Sequence, residues 1–204
     1  MTTDECWRWS YYFCLHGDTP RRGEKLWAGE QGAHHPTPAD VHPTLNGVTQ
    51  DTYDAFRDAQ DAPRRSVFDM VEAEQEAIYR DRYWLPSGAG KLAAMEKPKL
   101  ALCHFVTQVN MVGPNDTLFR PDEPARMLQR SVTSDAHQLT IDGSIGPKTL
   151  DACLAASDHD AAVKYTGQLV RRYRAIATAR PHLAPNLKGW LLRTSAIQRE
   201  IGLT

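Results

Sequence analysis

The residues best suited to chemistry lie near the front of the chain. Glu30 closes a short helical run over 21–30 and is followed, up to Asn46-Gly47-Val48-Thr49, by a stretch of Gly, Pro, His, Asp and Thr without apolar periodicity. A carboxylate at a helix end facing an irregular polar loop suits cleavage of a glycosidic bond. The general acid must keep its proton near neutrality, which calls for an apolar wall, and the opposite face must hold a water and a second polar group. Leu26 and Trp27 can form that wall, and Asp40 and Thr44 the opposite face. Gly47 is either a turn glycine or one that lets backbone approach a sugar. His34, His35 and His42 around Asp40 raise a zinc alternative, but their spacing is not that of a helical H-E-x-x-H site, so neither metal nor cofactor is expected.

The elements that must position these groups are almost all helical. Trp7, Tyr11, Cys14 and Leu15 recur at three and four over 4–16, and Gly17 stops that helix. Tyr53 and Phe56 share a face of the next segment, closed by Pro63. Ser66 is placed to cap a helix that carries Val67, Met70, Val71 and Ile78 through Tyr83 and Trp84, with Pro86 and Gly88 as its break and the lobe boundary. Pro98 leads into an apolar run over 100–112 that must be central. Helical spacing returns over 123–132, 148–156 and 160–180, and a last short helix starts near Leu187. Strand-like alternation is nearly absent, so the chain is expected to be mainly α.

Composition narrows the function classes. A 41% hydrophobic content over 204 residues is enough for an ordinary globular core. The 24 Lys plus Arg against 25 Asp plus Glu leave no polyanion-seeking bias, which argues against nucleic acid as partner. No apolar run reaches the roughly 18 residues that span a bilayer, and the first residues are too polar for a secretory signal. Cys6, Cys14, Cys103 and Cys153 form no C-x-x-C pair, and Cys6 and Cys14, two helical turns or about 12 Å apart, are too distant for a disulfide. Free thiols are expected.

Taken together, the motifs resemble the phage and bacterial muramidases of glycoside hydrolase family 108 joined to a C-terminal peptidoglycan-binding segment. Glu30-Gln31-Gly32-Ala33 stands for the family's Glu-Gly-Gly-Tyr, and Thr44-Leu45-Asn46-Gly47-Val48-Thr49 for its Thr-x-x-Gly-Ile-Thr. Ile78-Tyr79-Arg80 with Tyr83-Trp84 follows. Val109-Asn110, Leu128-Gln129, Asp142-Gly143-x-x-Gly146-Pro147-Lys148-Thr149-Leu150 and Gly189-Trp190-x-x-Arg193 complete the order. The chain departs from the family where Gln31 and Ala33 replace Gly and Tyr, and where Asp40-Val41-His42-Pro43 replaces Asp-x-Gly-Gly.

The resemblance implies a lysozyme-like, two-lobed helical fold with an irregular active-site loop: a catalytic lobe over 21–86 and a peptidoglycan-binding lobe over 98–204. It implies cleavage of the β-1,4 bond between N-acetylmuramic acid and N-acetylglucosamine, with Glu30 as acid, Asp40 and Thr44 completing the catalytic set, and attack by water. Gly47, Thr49, Tyr83, Trp84 and Asn110 are the candidate substrate-binding residues. Tyr83 and Trp84 are as readily core aromatics as sugar platforms. Asn110 either caps a neighbouring loop or reaches an N-acetyl group. The segment 142–149 is foremost a structural loop. The expected partners are glycan strands and, in a particle-bound form, other virion proteins, with release by a phage holin, a virion or a secretion machine. The rival readings are a wall-binding or virion structural protein without turnover and a lytic transglycosylase.

Overall fold

The first helix is fixed at its start by reciprocal bonds: the Glu5 N–H donates to Thr2 Oγ1 (3.2 Å) and the Thr2 N–H to Glu5 Oε2 (2.7 Å). In the computed structural model, which describes residues 1–16, 44–111 and 121–203, this helix is α1 (Thr3–His16). Its Cys6, Trp7, Tyr11 and Phe13 are buried. Trp7 stacks on Tyr11 (ring centroids 5.2 Å apart) and meets Trp84 and Phe105 edge-on at 5.4 and 5.7 Å. The segment ahead of residue 21 is therefore part of the core.

A small antiparallel hairpin follows, β1 (Thr44–Leu45) against β2 (Val48–Thr49), with Thr44 opposite Thr49 and Leu45 opposite Val48. Asn46 and Gly47 both take positive φ, 48° and 81°, as the tight two-residue hairpin turn demands. Thr49 then caps α2 (Gln50–Asp58), its hydroxyl accepting from the Thr52 N–H. Ser66 does cap, but what it starts is a single 3-10 turn, Val67–Asp69. Met70 is extended, and α3 (Glu72–Tyr79) begins only after it, with the Glu74 carboxylate accepting from the Val71 N–H (3.1 Å).

Around 86–90 the helical path is broken and resumed. Tyr79 runs into a π-helical turn, Arg80–Trp84, then α4 (Leu85–Ser87), where Pro86 sits in the first turn and needs no N–H partner. Gly88 (φ 79°) reverses the path into α5 (Ala89–Ala94).

Helix α6 (Pro98–Met111) is the central element, buried from Leu100 to Thr107. Its first turn is capped from far along the chain: Asp158 accepts from the N–H groups of Lys99 (3.0 Å) and Leu100 (2.9 Å). After it come α7 (Glu123–Val132), α8 (Pro147–Ala155), which packs on α7, α9 (Asp158–Ala179) and α10 (Leu187–Glu200), which packs on α9. Helix α6 packs on α1, α5, α7 and α9, and α9 on α7 and α10, so one apolar cluster joins residues from Cys6 to Ile201. The architecture is mainly α and lysozyme-like. The cysteines are free, Cys6, Cys103 and Cys153 buried and Cys14 half-buried. Among the described residues no helix is long and apolar enough to cross a membrane.

Candidate active site

The hairpin is held from behind by α3. Tyr79 donates its phenolic proton to the Asn46 carbonyl (2.8 Å), and Asn46 Nδ2 donates to Gln75 Oε1 (3.0 Å), a buried amide. A Cβ at residue 47 would stand 2.7 Å from the Tyr79 oxygen. Gly47 is thus a left-handed turn glycine, and the group that approaches it closely is Tyr79. Thr49 is spent on the α2 cap.

The π-turn sets the aromatic residues apart. Its extra residue per turn leaves Tyr83 half-buried, 5.7 Å from the Tyr79 ring, and carries Trp84 inward to 2% exposure between Trp7 and Phe105. Trp84 is a core residue here and has no free face for a sugar; Tyr83 remains at the edge.

Across α6 the two halves of the chain are joined by side chains. Asn110 donates to the Val106 carbonyl (2.7 Å) and accepts from Arg193 of α10, a residue only 7% exposed. The Asn110 amide is therefore bonded to its own helix and to α10, not to a neighbouring loop. Arg193 also acts on Tyr79, where burial pushes the phenol well above its usual range and the guanidinium draws it partly back. Tyr79 is held as a neutral donor. The motif residues Asn46, Tyr79, Tyr83, Asn110 and Arg193, spread over most of the sequence, are linked in one place.

Gln129 does the same for the second half. Fully buried at 1% exposure, its amide donates to Asp142 Oδ1 (2.7 Å) and the Ser144 carbonyl (3.1 Å) and accepts from the Gly143 N–H (2.9 Å). Arg126 adds bonds to the Ile141 and Asp142 carbonyls. The 142–149 motif is a pinned loop, in line with its expected structural role.

Glu30 and Asp40 lie outside the described residues, as do His34, His35 and His42, and Thr44 contributes its backbone to β1. Among the described residues the carboxylates with displaced pKa values, Glu5, Asp58, Glu74 and Asp142, are all displaced downward. None of these has the raised proton affinity that a general acid requires. No described cluster of His, Cys, Asp and Glu could hold a metal ion. Tyr79 and Arg193 stand among the motifs without a role in the site; the available signal is their place at helical spacing beside apolar residues, Tyr79 next to Ile78 and Arg193 three residues after Trp190.

Comparison with known proteins places two segments. Residues 27–111 match the glycosyl hydrolase 108 model, and residues 123–195 match the model described as a predicted peptidoglycan domain. The first match takes in α6, which the sequence reading had assigned to the second lobe. Among solved structures, SagA of Brucella abortus shares the fold, with a TM-score of 0.56 and 21% identity over 86% of this chain and 88% of that one. No curated protein matches.

Proposed function

We propose that this chain, a glycoside hydrolase in which a glycosyl hydrolase 108 domain precedes a peptidoglycan domain, is an N-acetylmuramidase. Hydrolysis of peptidoglycan is the general activity that the two domains carry. The finer reading is that it cuts the β-1,4 bond between N-acetylmuramic acid and N-acetylglucosamine, with Glu30 as the acid. The observation that carries this reading is the place of Glu30 in the opening of the family segment, together with the downward-shifted carboxylates elsewhere. Glu30 protonates the leaving oxygen as an oxocarbenium-like sugar forms, and Asp40 and Thr44 hold the water that attacks the opposite face. Gly47 and Thr49 shape the hairpin that follows this stretch, and Tyr83, half-buried at the π-turn, is the aromatic ring left for the glycan.

Mass spectrometry of digested cell wall tests the reading. Muramidase action leaves a reducing muramic end, transglycosylase action an anhydro-muramic end, and a wall-binding protein without turnover leaves none. Glu30→Gln should abolish the reducing ends with the fold unchanged. Activity retained by that variant would remove Glu30 from the role of acid. Release by a holin, carriage on a virion and export by a secretion machine are the routes by which such an enzyme meets its substrate.

A further inference from the structure

A pocket of about 280 Å³ opens where the hydrolase segment meets the peptidoglycan segment. Leu85, Gly88, Lys91 and Gln108 line it from one side, and Asp122 and Ile145 from the other. Its polar groups divide into two kinds. Some are committed to the fold: Asp122 accepts from Arg126 Nε (2.7 Å), and His104 on the floor donates from Nε2 to the Ser87 carbonyl (3.0 Å). Two are unspent. Among the described residues, exposed Lys91 makes no ion pair and half-buried Gln108 makes no side-chain hydrogen bond. Beside them Leu85 is 57% exposed, an apolar surface turned to the opening.

We infer that this pocket binds the stem peptide of peptidoglycan, separately from the glycan. The inference rests on the chain's being a peptidoglycan hydrolase. The neutral regions of the glycan offer hydroxyls and N-acetyl groups, whereas the stem peptide offers a carboxylate, a peptide unit and small aliphatic side chains close together. Lys91 matches the carboxylate. The Gln108 amide, at once donor and acceptor, matches both polar atoms of a peptide unit. Leu85 and Ile145 match the aliphatic groups. The volume, just below the roughly 300–1,000 Å³ of small-molecule sites, suits a short piece of the peptide. Gly143 keeps the Asp122 side of the rim in place, because a Cβ there would lie 2.8 Å from Asp122 Cβ.

Titration of the ¹⁵N-labelled full chain with the tripeptide L-alanyl-γ-D-glutamyl-L-lysine, followed by amide shifts, tests the site. Saturable shifts are expected at Gly88, Lys91, Gln108 and Ile145. Lys91→Glu, Gln108→Leu and amidation of the peptide carboxylates should each weaken binding roughly tenfold, as loss of one charge-assisted or amide contact does. Lys91 is exposed, so its variant should keep the wild-type thermal midpoint. Absence of shifts at these four residues, or equal binding by Lys91→Glu and the wild type, overturns the inference. The readout needs no turnover: a chain that binds the peptide but leaves walls uncut sinks the muramidase reading alone, and one that cuts walls without binding the peptide sinks this inference alone.

Discussion

The Tyr79 hydroxyl lies 2.8 Å from the Asn46 carbonyl and occupies the space into which any side chain at residue 47 would project. One phenol thus fixes the hairpin's turn and dictates that its second turn residue be glycine. The same ring packs against Tyr11 of α1 and Tyr83 of the π-turn. A shift of α3 would therefore move the hairpin and with it residue 44, where the chain enters from the stretch that carries Glu30.

Tyr79→Phe removes the donor and leaves the ring, so it should cost about 1 kcal/mol, the net value of one hydrogen bond. Gly47→Ala should cost more, about 2 kcal/mol, because it adds a strained positive φ to a 2.7 Å contact with the phenol. Denaturant midpoints of the two variants give the order. Equal stability of Gly47→Ala and the wild type would mean that the turn does not sit against Tyr79.

Much of this frame was legible in the sequence, and the exceptions have local causes. The segment 123–132 is legible to the residue because Ala125, Leu128 and Val132 recur along it at helical spacing, and the central place of α6 is legible because it is apolar on nearly all sides. The hairpin was missed although Asn-Gly is a strong turn signal, because strands of two residues are too short for alternation to show. For Trp84 the sequence is even between core and site. A π-turn, which no periodicity announces, settles it inward. The Asn110–Arg193 bond joins residues 83 apart, a pairing that only the packing of α6 against the C-terminal helices creates.

Glu74 should be the most costly acidic side chain to neutralise in the first half. Burial by itself would raise its carboxyl, but bonds from the Tyr53 hydroxyl (2.8 Å), the Val71 N–H (3.1 Å), Arg65 (2.6 Å) and Arg57 (2.7 Å) outweigh it and hold the group at about 2. Its stabilisation is present above the ordinary glutamate range and is lost as pH falls through about 2. Glu74→Gln leaves Arg57 and Arg65 without their anion and should cost about 2 kcal/mol at neutral pH, less than a fully buried pair because Arg65 reaches solvent. Its unfolding free energy should also lose the wild type's decline at the acid end. A variant as stable as the wild type at pH 7 would show the cluster to be inconsequential.

Gln129→Leu preserves bulk and removes the amide that binds Asp142, Gly143 and Ser144. The buried partners left unsatisfied should cost about 2–4 kcal/mol. Because the same loop carries Ile145 of the junction pocket, the amide resonances of 142–146 should broaden or shift while those of the hairpin stay fixed. Disturbance of the hairpin instead would contradict the local role assigned to Gln129.

His104 gives the clearest dependence on pH. The Ser87 carbonyl can only accept, so Nε2 carries the proton, and Nδ1 faces the Tyr165 hydroxyl at 3.3 Å. That hydroxyl also lies 3.2 Å from the Pro124 carbonyl and has one proton for two acceptors. Burial pushes the imidazole down to about 4, and the carbonyls of Ser87 and Pro124 draw it partly back. The unfolded chain takes up a proton near 6.5 and the folded one only near 4, so the stabilisation is complete above about 6.5 and disappears as pH falls through 4. The full difference is about 3 kcal/mol, most of it lost by pH 4.5, where Glu74 is still ionised. His104→Gln keeps a donor for Ser87 and cannot titrate, so its unfolding free energy should stay nearly level from pH 7 to 4.5 while that of the wild type falls. Parallel curves for the two proteins would show that His104 is not held neutral against Tyr165.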